Sequence, residues 1–160
     1  MARLIPNENT WVGFIPGEVV IASTGPTAAQ VAAATDLTPY LISLNASSRG
    51  NTVPTPSFDT LFETSTAGTS SATFDADFYR DDVDDAAWEL LPRGTRGVFI
   101  ISRFGGTGTN NLPVATDEVE QWSVMVTSRS MANMSNNTVL TFTASCAVTD
   151  EPNEAAVVGA

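Results

Sequence analysis

Histidine and lysine are absent from the 160 residues, and cysteine occurs once, as Cys146. Without imidazole, a Schiff-base amine or a second thiol, a single chain cannot assemble the usual general base, an amine nucleophile or a Cys/His metal cluster. The expectation is therefore a protein that is not an enzyme and that needs neither a cofactor nor a metal. One cysteine also excludes an intrachain disulfide. No apolar run approaches the roughly 20 residues that span a bilayer. The first residues, Met1 to Glu8, hold no long apolar segment of the kind a signal peptide needs, so a soluble, unexported chain is expected.

Positive charge is scarce as well. Seven basic residues, all arginine, face 18 acidic ones, for a net charge of −11. Gripping nucleic acid takes a clustered positive surface, so tight binding of DNA or RNA is not expected. A surface that repels polyphosphate still suits a protein past which DNA must move without sticking.

The length is enough for one domain with a genuine core and short for two, so 1–160 reads as a single domain. Apolar runs at 11–15 and 18–23, flanked by Pro16-Gly17 and Gly25-Pro26, predict two strands joined by a turn. Thr27 and Gln30 have the spacing of a capping box ahead of a short alanine-rich helix at 31–34, and 37–44 resumes extended or mixed structure. At 73–79 the alternation is two-faced, with Thr73, Asp75, Asp77 and Tyr79 on one side and Phe74, Ala76 and Phe78 on the other. A short helix follows, with Val83, Ala87, Leu90 and Leu91 on one face. Asp81, Asp82, Asp84 and Asp85 stand at the positive end of its dipole, and Pro92 and Gly94 end it.

Further strands are expected at 95–104, 118–128 and 138–149. The last points Leu140, Phe142, Ala144, Cys146 and Val148 inward, which makes Cys146 a small buried hydrophobe. Residues 105–111 read as a turn-rich hairpin connection and 150–160 as a C-terminal tail. Between 45 and 71 the chain is rich in Ser, Thr, Gly, Asn and Pro, yet carries Val53, Phe58, Leu61 and Phe62. A loop this long is either a solvated surface segment or an arm that touches a neighbouring subunit.

Sharper site readings are weaker. Asp75, Asp77, Asp81, Asp82, Asp84 and Asp85 lack the glycine and terminal glutamate of a helix-loop-helix calcium loop. Glu118 and Glu120 form the kind of pair that glycoside hydrolysis uses, but such pairs arise by chance in any acidic chain. Gly105, Gly106 and Gly108 lack the Lys-Ser/Thr of a phosphate loop and precede a strand.

The order of these elements resembles the major tail tube proteins of long-tailed, siphovirus-type bacteriophages. So do the segments GNTVPTP at 50–56, FDADFYRDD at 74–82, WELLPRGTRG at 88–97 and MANMSNNT at 131–138, and the likeness extends over most of the chain. It implies a mainly β, sandwich or barrel-like tail-tube fold with one flanking short helix. An N-terminal arm (1–10), a long inter-subunit loop (45–71) and a C-terminal tail (150–160) would complete it. Copies would close into hexameric rings and stack as a hollow tube in the virion tail, assembled in the host cytoplasm. Tape-measure and tail-end proteins would be partners, and phage DNA would pass without specific binding. Asp75, Asp77, Glu118 and Glu120 are then candidates to line the lumen, against the alternative of solvated outer-surface acids. Arg49, Val53, Phe58, Leu61, Phe62, Arg80, Arg93 and Arg96 are candidates for contacts between subunits, with Arg103 and Arg129 also able to pair with a neighbour's acids. Pairing of these arginines within one chain is the alternative.

Two rival classes stand beside this. A tail-terminator or capsid-decoration subunit shares the acidic, β-rich composition but forms single rings or trimers. A carbohydrate-binding sandwich requires Trp11, Trp88 or Trp122 on an exposed stacking surface. The placement of Trp88 and Trp122 within apolar patterns favours the core instead.

Overall fold

The run Val98-Phe99-Ile100-Ile101 shows no polar alternation, the pattern of a strand covered on both faces. In the computed structural model, which describes residues 9–56 and 64–160, this run lies in β5 (Arg96–Ser102) and every residue from Gly97 onward is buried. β5 lies between β1 (Trp11–Pro16) and β6 (Glu118–Met131), both antiparallel to it. The antiparallel sheet runs in the order β2-β1-β5-β6-β7-β4-β3. Here β2 is Thr35–Asp36, β3 Leu41–Thr55, β4 Thr64–Tyr79 and β7 Thr141–Val148. β8 (Asn153–Val157) pairs with the first residues of β6.

This sheet curls. Phe74 on β4 and Phe99 on β5 stack with ring centroids 4.6 Å apart, although β6 and β7 separate their strands. In a flat sheet three strand spacings would hold them about 14 Å apart. Rolling brings Phe14, Phe74, Phe78, Phe99, Trp122 and Phe142 into one interior, with α2 (Ala86–Leu90) and Leu91 at its end. The opposite face of β1 and β5 carries Trp11, Ile15, Val98 and Ile100. It is covered by Val31 of α1 (Ala28–Ala33) and by Ala156 and Val158. The expected capping box forms, but the helix starts directly after Thr27, at Ala28 and not at 31: Thr27 Oγ1 accepts from Gln30 N at 3.2 Å and Gln30 Oε1 accepts from Thr27 N at 2.9 Å.

Four expectations need correction. Residues 18–23 form no strand, because the β1 edge they would need is taken by β2, with Gly13 opposite Asp36 and Phe14 opposite Thr35; Val20 is left exposed. The second helix begins at Ala86, so Val83 is exposed and not on its apolar face. Asp81 instead accepts from Val83 N (2.9 Å) and Asp84 N (3.4 Å) in a tight turn, and Asp85 pairs with Arg80. The loop expected at 45–71 is, in its described part, the paired stretch of β3 and β4. Thr55 and Thr64 hydroxyls meet at 2.9 Å and Ser47 and Thr73 hydroxyls at 3.0 Å. Such hydroxyl pairs stabilise a sheet without an apolar face, and that composition reads as loop. The C-terminal tail is β8, because Ala156 and Val158 have an apolar face to cover. Residues 1–8 of the expected arm, and Phe58, Leu61 and Phe62, lie outside the described residues.

β8 also depends on Gly25, whose φ of +137° no L side chain adopts comfortably and where a Cβ would run into the Val157 carbonyl. Gly25→Ala is expected to destabilise the protein by more than about 1 kcal/mol, read as a lower urea midpoint.

Candidate functional site

The face of β4 turned away from the aromatic interior meets polar residues on both neighbouring strands. Across β3, Asp77 stands opposite Ser43, Asp75 opposite Asn45 and Thr73 opposite Ser47. Across β7, Asp77 stands opposite Thr143 and Asp75 opposite Ser145, and β6 continues the row with Ser128 and Ser130. Ser43 Oγ donates to Asp77 Oδ2 and Thr143 Oγ1 to Oδ1, each at 2.5 Å. These two donors hold the Asp77 carboxyl below its usual range, because they favour the charged form. The result is a hydroxyl-lined wall carrying fixed negative charge. Cys146 packs toward the core, where burial, and secondarily Asp75, push its thiol up to about 12.

Glu118 and Glu120 stand elsewhere. Glu120 is in an ion pair with Arg103, whose Nη2 donates to Oε2 at 2.9 Å. The same oxygen accepts from Trp122 Nε1 at 3.2 Å, which places Glu120 on the side of β6 that faces the interior. Glu118 is exposed opposite Val157 of β8. The structure thus brings Asp75 and Asp77 together on one wall and leaves the two glutamates off it.

β3 and β4 continue beyond this wall as a two-stranded arm. β7 pairs with β4 from Phe74 to Tyr79, so among the described residues 64–73 has β3 as its sole strand partner, and the outer edge of β3 has none. Arg49 and Val53 are exposed on the arm. Of the other proposed contact residues, Arg80 donates through Nε and Nη2 to Asp85 Oδ2 at 2.6 Å. Its guanidinium lies 4.0 Å from the Trp88 ring centroid. Arg96 reaches Glu18 at 3.1 Å on the surface, and Arg93 is exposed. Arg129, offered above as able to pair with a neighbour's acids, lies 3.4 Å from the Trp88 ring centroid and donates to Trp88 O at 2.5 Å, a contact that sequence reasoning missed. Burial, with Arg80 nearby, lowers its pKa. No spacing signal connects residues 80, 88 and 129. With Trp11 and Trp122 buried and Trp88 covered by guanidinium, the sugar-stacking surface is missing.

Among the described residues no three histidine, cysteine, aspartate or glutamate side chains converge as a metal site, and no helix is long and apolar enough to cross a membrane.

Asp117 closes the loop between β5 and β6 by accepting from Thr107 N (2.8 Å) and Val114 N (2.9 Å), which lowers its carboxyl pKa. A carboxylate with a depressed folded pKa contributes stability above the unfolded value of 3.8, lost as pH falls through the folded one. Asp77 acts in the same sense. The melting temperature is expected to hold from pH 7 to 5 and fall below about pH 4. Asp117→Asn should lower it at pH 7 and flatten that acid limb, as read by circular dichroism.

The whole chain, residues 1–160, matches a family model described as phage tail tube protein. No curated protein matches. Among solved structures, a chain of the anti-feeding prophage baseplate, six-fold symmetrised, aligns with TM-score 0.57 and 11% identity over 94% of this chain and 95% of that one. A chain from the tail of an empty gene transfer agent particle, refined with C6 symmetry, aligns with TM-score 0.55 and 15% identity over 91% and 95%. One from the virion of a native gene transfer agent aligns with TM-score 0.53 and 17% identity over 77% and 89%. At these identities the likeness is one of fold.

Proposed function

The chain belongs to the phage tail tube protein family, and from that membership we propose that it polymerises as stacked hexameric rings into a tail tube, the conduit for DNA delivery into the host. Its place is the virion tail. The 160 residues act as one structural, non-catalytic tail-tube domain.

The observation that carries ring formation is the open edge of the sheet. Among the described residues, the 15 residues of β3 have no strand partner on their outer side, and 64–73 of β4 have none beyond β3. Long unpaired edges favour pairing with another chain, and a closed ring of copies removes them. Six is the number carried over from the six-fold and C6 assemblies of similar fold.

In that ring Asp75 and Asp77 face the bore amid hydroxyl groups. DNA phosphates meet like charge and no clustered cation, so the genome slides without being held. Glu120 is neutralised by Arg103, and Glu118 stands off this wall. Arg49 and Val53, with Phe58, Leu61 and Phe62, supply contacts between copies, and Arg93 and Arg96 are exposed for the same use. Arg80 serves its own chain through Asp85. A tape-measure protein and tail-end proteins complete the assembly.

Negative-stain electron microscopy across a concentration series, with light scattering for mass, tests the proposal. Stacked rings or hollow tubes are expected. Trimers, or single rings that never stack, would favour a decoration or terminator subunit.

A further inference from the structure

Trp122, Val124 and Val126 of β6 belong to the aromatic interior, and unbroken alternation would add Ser128 and Ser130 to them. The register shifts at this point. Val126 stands opposite Cys146, and Ser128, two residues on, stands opposite the adjacent Ser145. The extra residue, Thr127, reverses the alternation. Ser128 and Ser130 join the wall of Asp75 and Asp77, and Arg129 and Met131 turn to the interior side, opposite Ala144 and Phe142. Bulges of this kind re-aim a side chain and are common beside functional sites.

The side chain so re-aimed meets Arg80, carried in at the end of β4, and Trp88 of α2. The two guanidinium carbons lie 3.4 Å (Arg129) and 4.0 Å (Arg80) from the Trp88 ring centroid. Arg80 is compensated: Nε and Nη2 donate to Asp85 Oδ2 at 2.6 Å, and Nη1 donates to Met131 Sδ at 3.4 Å. Arg129 is not. Its Nη1 donates to a neutral carbonyl, Trp88 O, and among the described residues its Nε and Nη2 have no partner. Asp85 supplies none, because Oδ2 is taken by Arg80 and the buried Oδ1 accepts no hydrogen bond. Desolvation and the Arg80 charge outweigh the pull of Asp85 and lower the Arg129 pKa. Arg49 and Arg93 also lack an ion pair, but they stand in solvent, whereas Arg129 is half-buried. A half-buried charge without a counter-charge is costly, and a counter-ion relieves that cost.

We propose that Arg129 is the centre of an oxyanion-binding site, taking a carboxylate or a phosphate-like group on the guanidinium edge formed by Nε and Nη2. Two parallel N–H groups on that edge match two oxygens of one anion. Stacking on Trp88 and the bond to Trp88 O already fix the plane of the fork, so little rotamer freedom is left to lose on binding. The anion brings the charges of the cluster to two against two. Arg129 and the wall of Asp75 and Asp77 are on opposite sides of the sheet, which keeps the site apart from anything that moves along that wall. The anion is either an acidic side chain of another protein chain or a small anion from solution.

Nitrogen-15 NMR of the full chain tests this through its seven arginine Nε–Hε groups and the Trp88 indole N–H. Sodium sulfate or sodium acetate, titrated against sodium chloride at matched ionic strength, should shift one arginine peak and the Trp88 peak with a common saturation. The arginine peak is assigned by its loss in Arg129→Met. In that variant the Trp88 peak should no longer respond. Arg129→Lys keeps the charge without the fork, and half-saturation of the Trp88 shift should then need about tenfold more anion. Magic-angle-spinning NMR of assembled protein separates the two sources. An Arg129 peak already at its bound position in chloride alone assigns the site to an acidic side chain of another chain, and one that still moves with sulfate assigns it to a free anion. Shifts that follow ionic strength alone, or a Trp88 response unchanged in Arg129→Met, would overturn the inference.

Discussion

Joining Ser47 to Thr73 through an Asn-Gly turn, and so removing the arm, is expected to leave a folded monomer that no longer assembles. Ser47 and Thr73 are register partners with hydroxyls 3.0 Å apart, so a two-residue turn closes the shortened hairpin without moving either strand. The described residues removed are almost all exposed. Of them only Ala72 packs against the interior, half-buried, and the one side-chain bond lost to the body of the protein is Ser48 Oγ to Glu154 Oε1 at 2.6 Å. The melting temperature should stay within about 5 °C of the parent, since about 1 kcal/mol corresponds to a few degrees in a chain of this size. Assembly should vanish in sedimentation velocity, because both free edges and the 57–63 segment go together. Tubes of normal length from this variant would remove the arm from the account.

Phe99→Ala is expected to produce the largest loss of stability. Its ring contacts Phe14 and Phe74, each at 4.6 Å between centroids, and the Phe74 contact joins strands that only the curl of the sheet brings together. Truncating a fully buried phenylalanine costs about 3–5 kcal/mol, because the cavity it leaves cannot fully collapse. That lowers the melting temperature by about 10 °C or more. Phe104→Ala is the control, since that side chain is 62% exposed and should move the urea midpoint little. A shift under about 1 kcal/mol for Phe99→Ala would mean that the curl is held by other contacts.

Where one face of a strand is apolar, residue patterns carried most of the fold. The alternation of Phe74, Ala76 and Phe78, the continuous run from Val98 to Ile101 and the inward row of Phe142 and Ala144 all lie where period two puts them. The Thr27 capping box depends only on local spacing and was legible for that reason. The arm was not. From Ser47 to Thr55 and from Thr64 to Thr73, Val53 and Pro54 aside, both faces are polar or small, so no contrast exists for a period to reveal, and composition alone resembles a loop. Residues 18–23 misled in the opposite direction: their apolar content suits a strand, but β2 holds the edge.

The candidate site divides in the same way. Asp75 and Asp77 share a face by parity within β4, which a sequence displays. That Ser43 and Thr143 hold Asp77 from either side depends on register between strands 34 and 66 residues apart. Glu118 and Glu120 also share a side of their strand by parity, but the Arg103 that neutralises Glu120 arrives from beyond β5. The exposed apolar side chains Ile42, Tyr79, Val83, Met131, Met134 and Val139 come from β3, β4, β6 and two turns, and their gathering becomes visible only when the sheet places those ends together.

The most direct measurement is a cryo-electron microscopy reconstruction of tubes assembled from the purified chain. The expected result is six copies per ring with the face of Asp75, Asp77, Ser43 and Thr143 lining the bore and the edges of neighbouring sheets paired. A tube whose bore is lined by another face, with Asp75 and Asp77 turned to the outside or buried against a neighbour, would contradict the account.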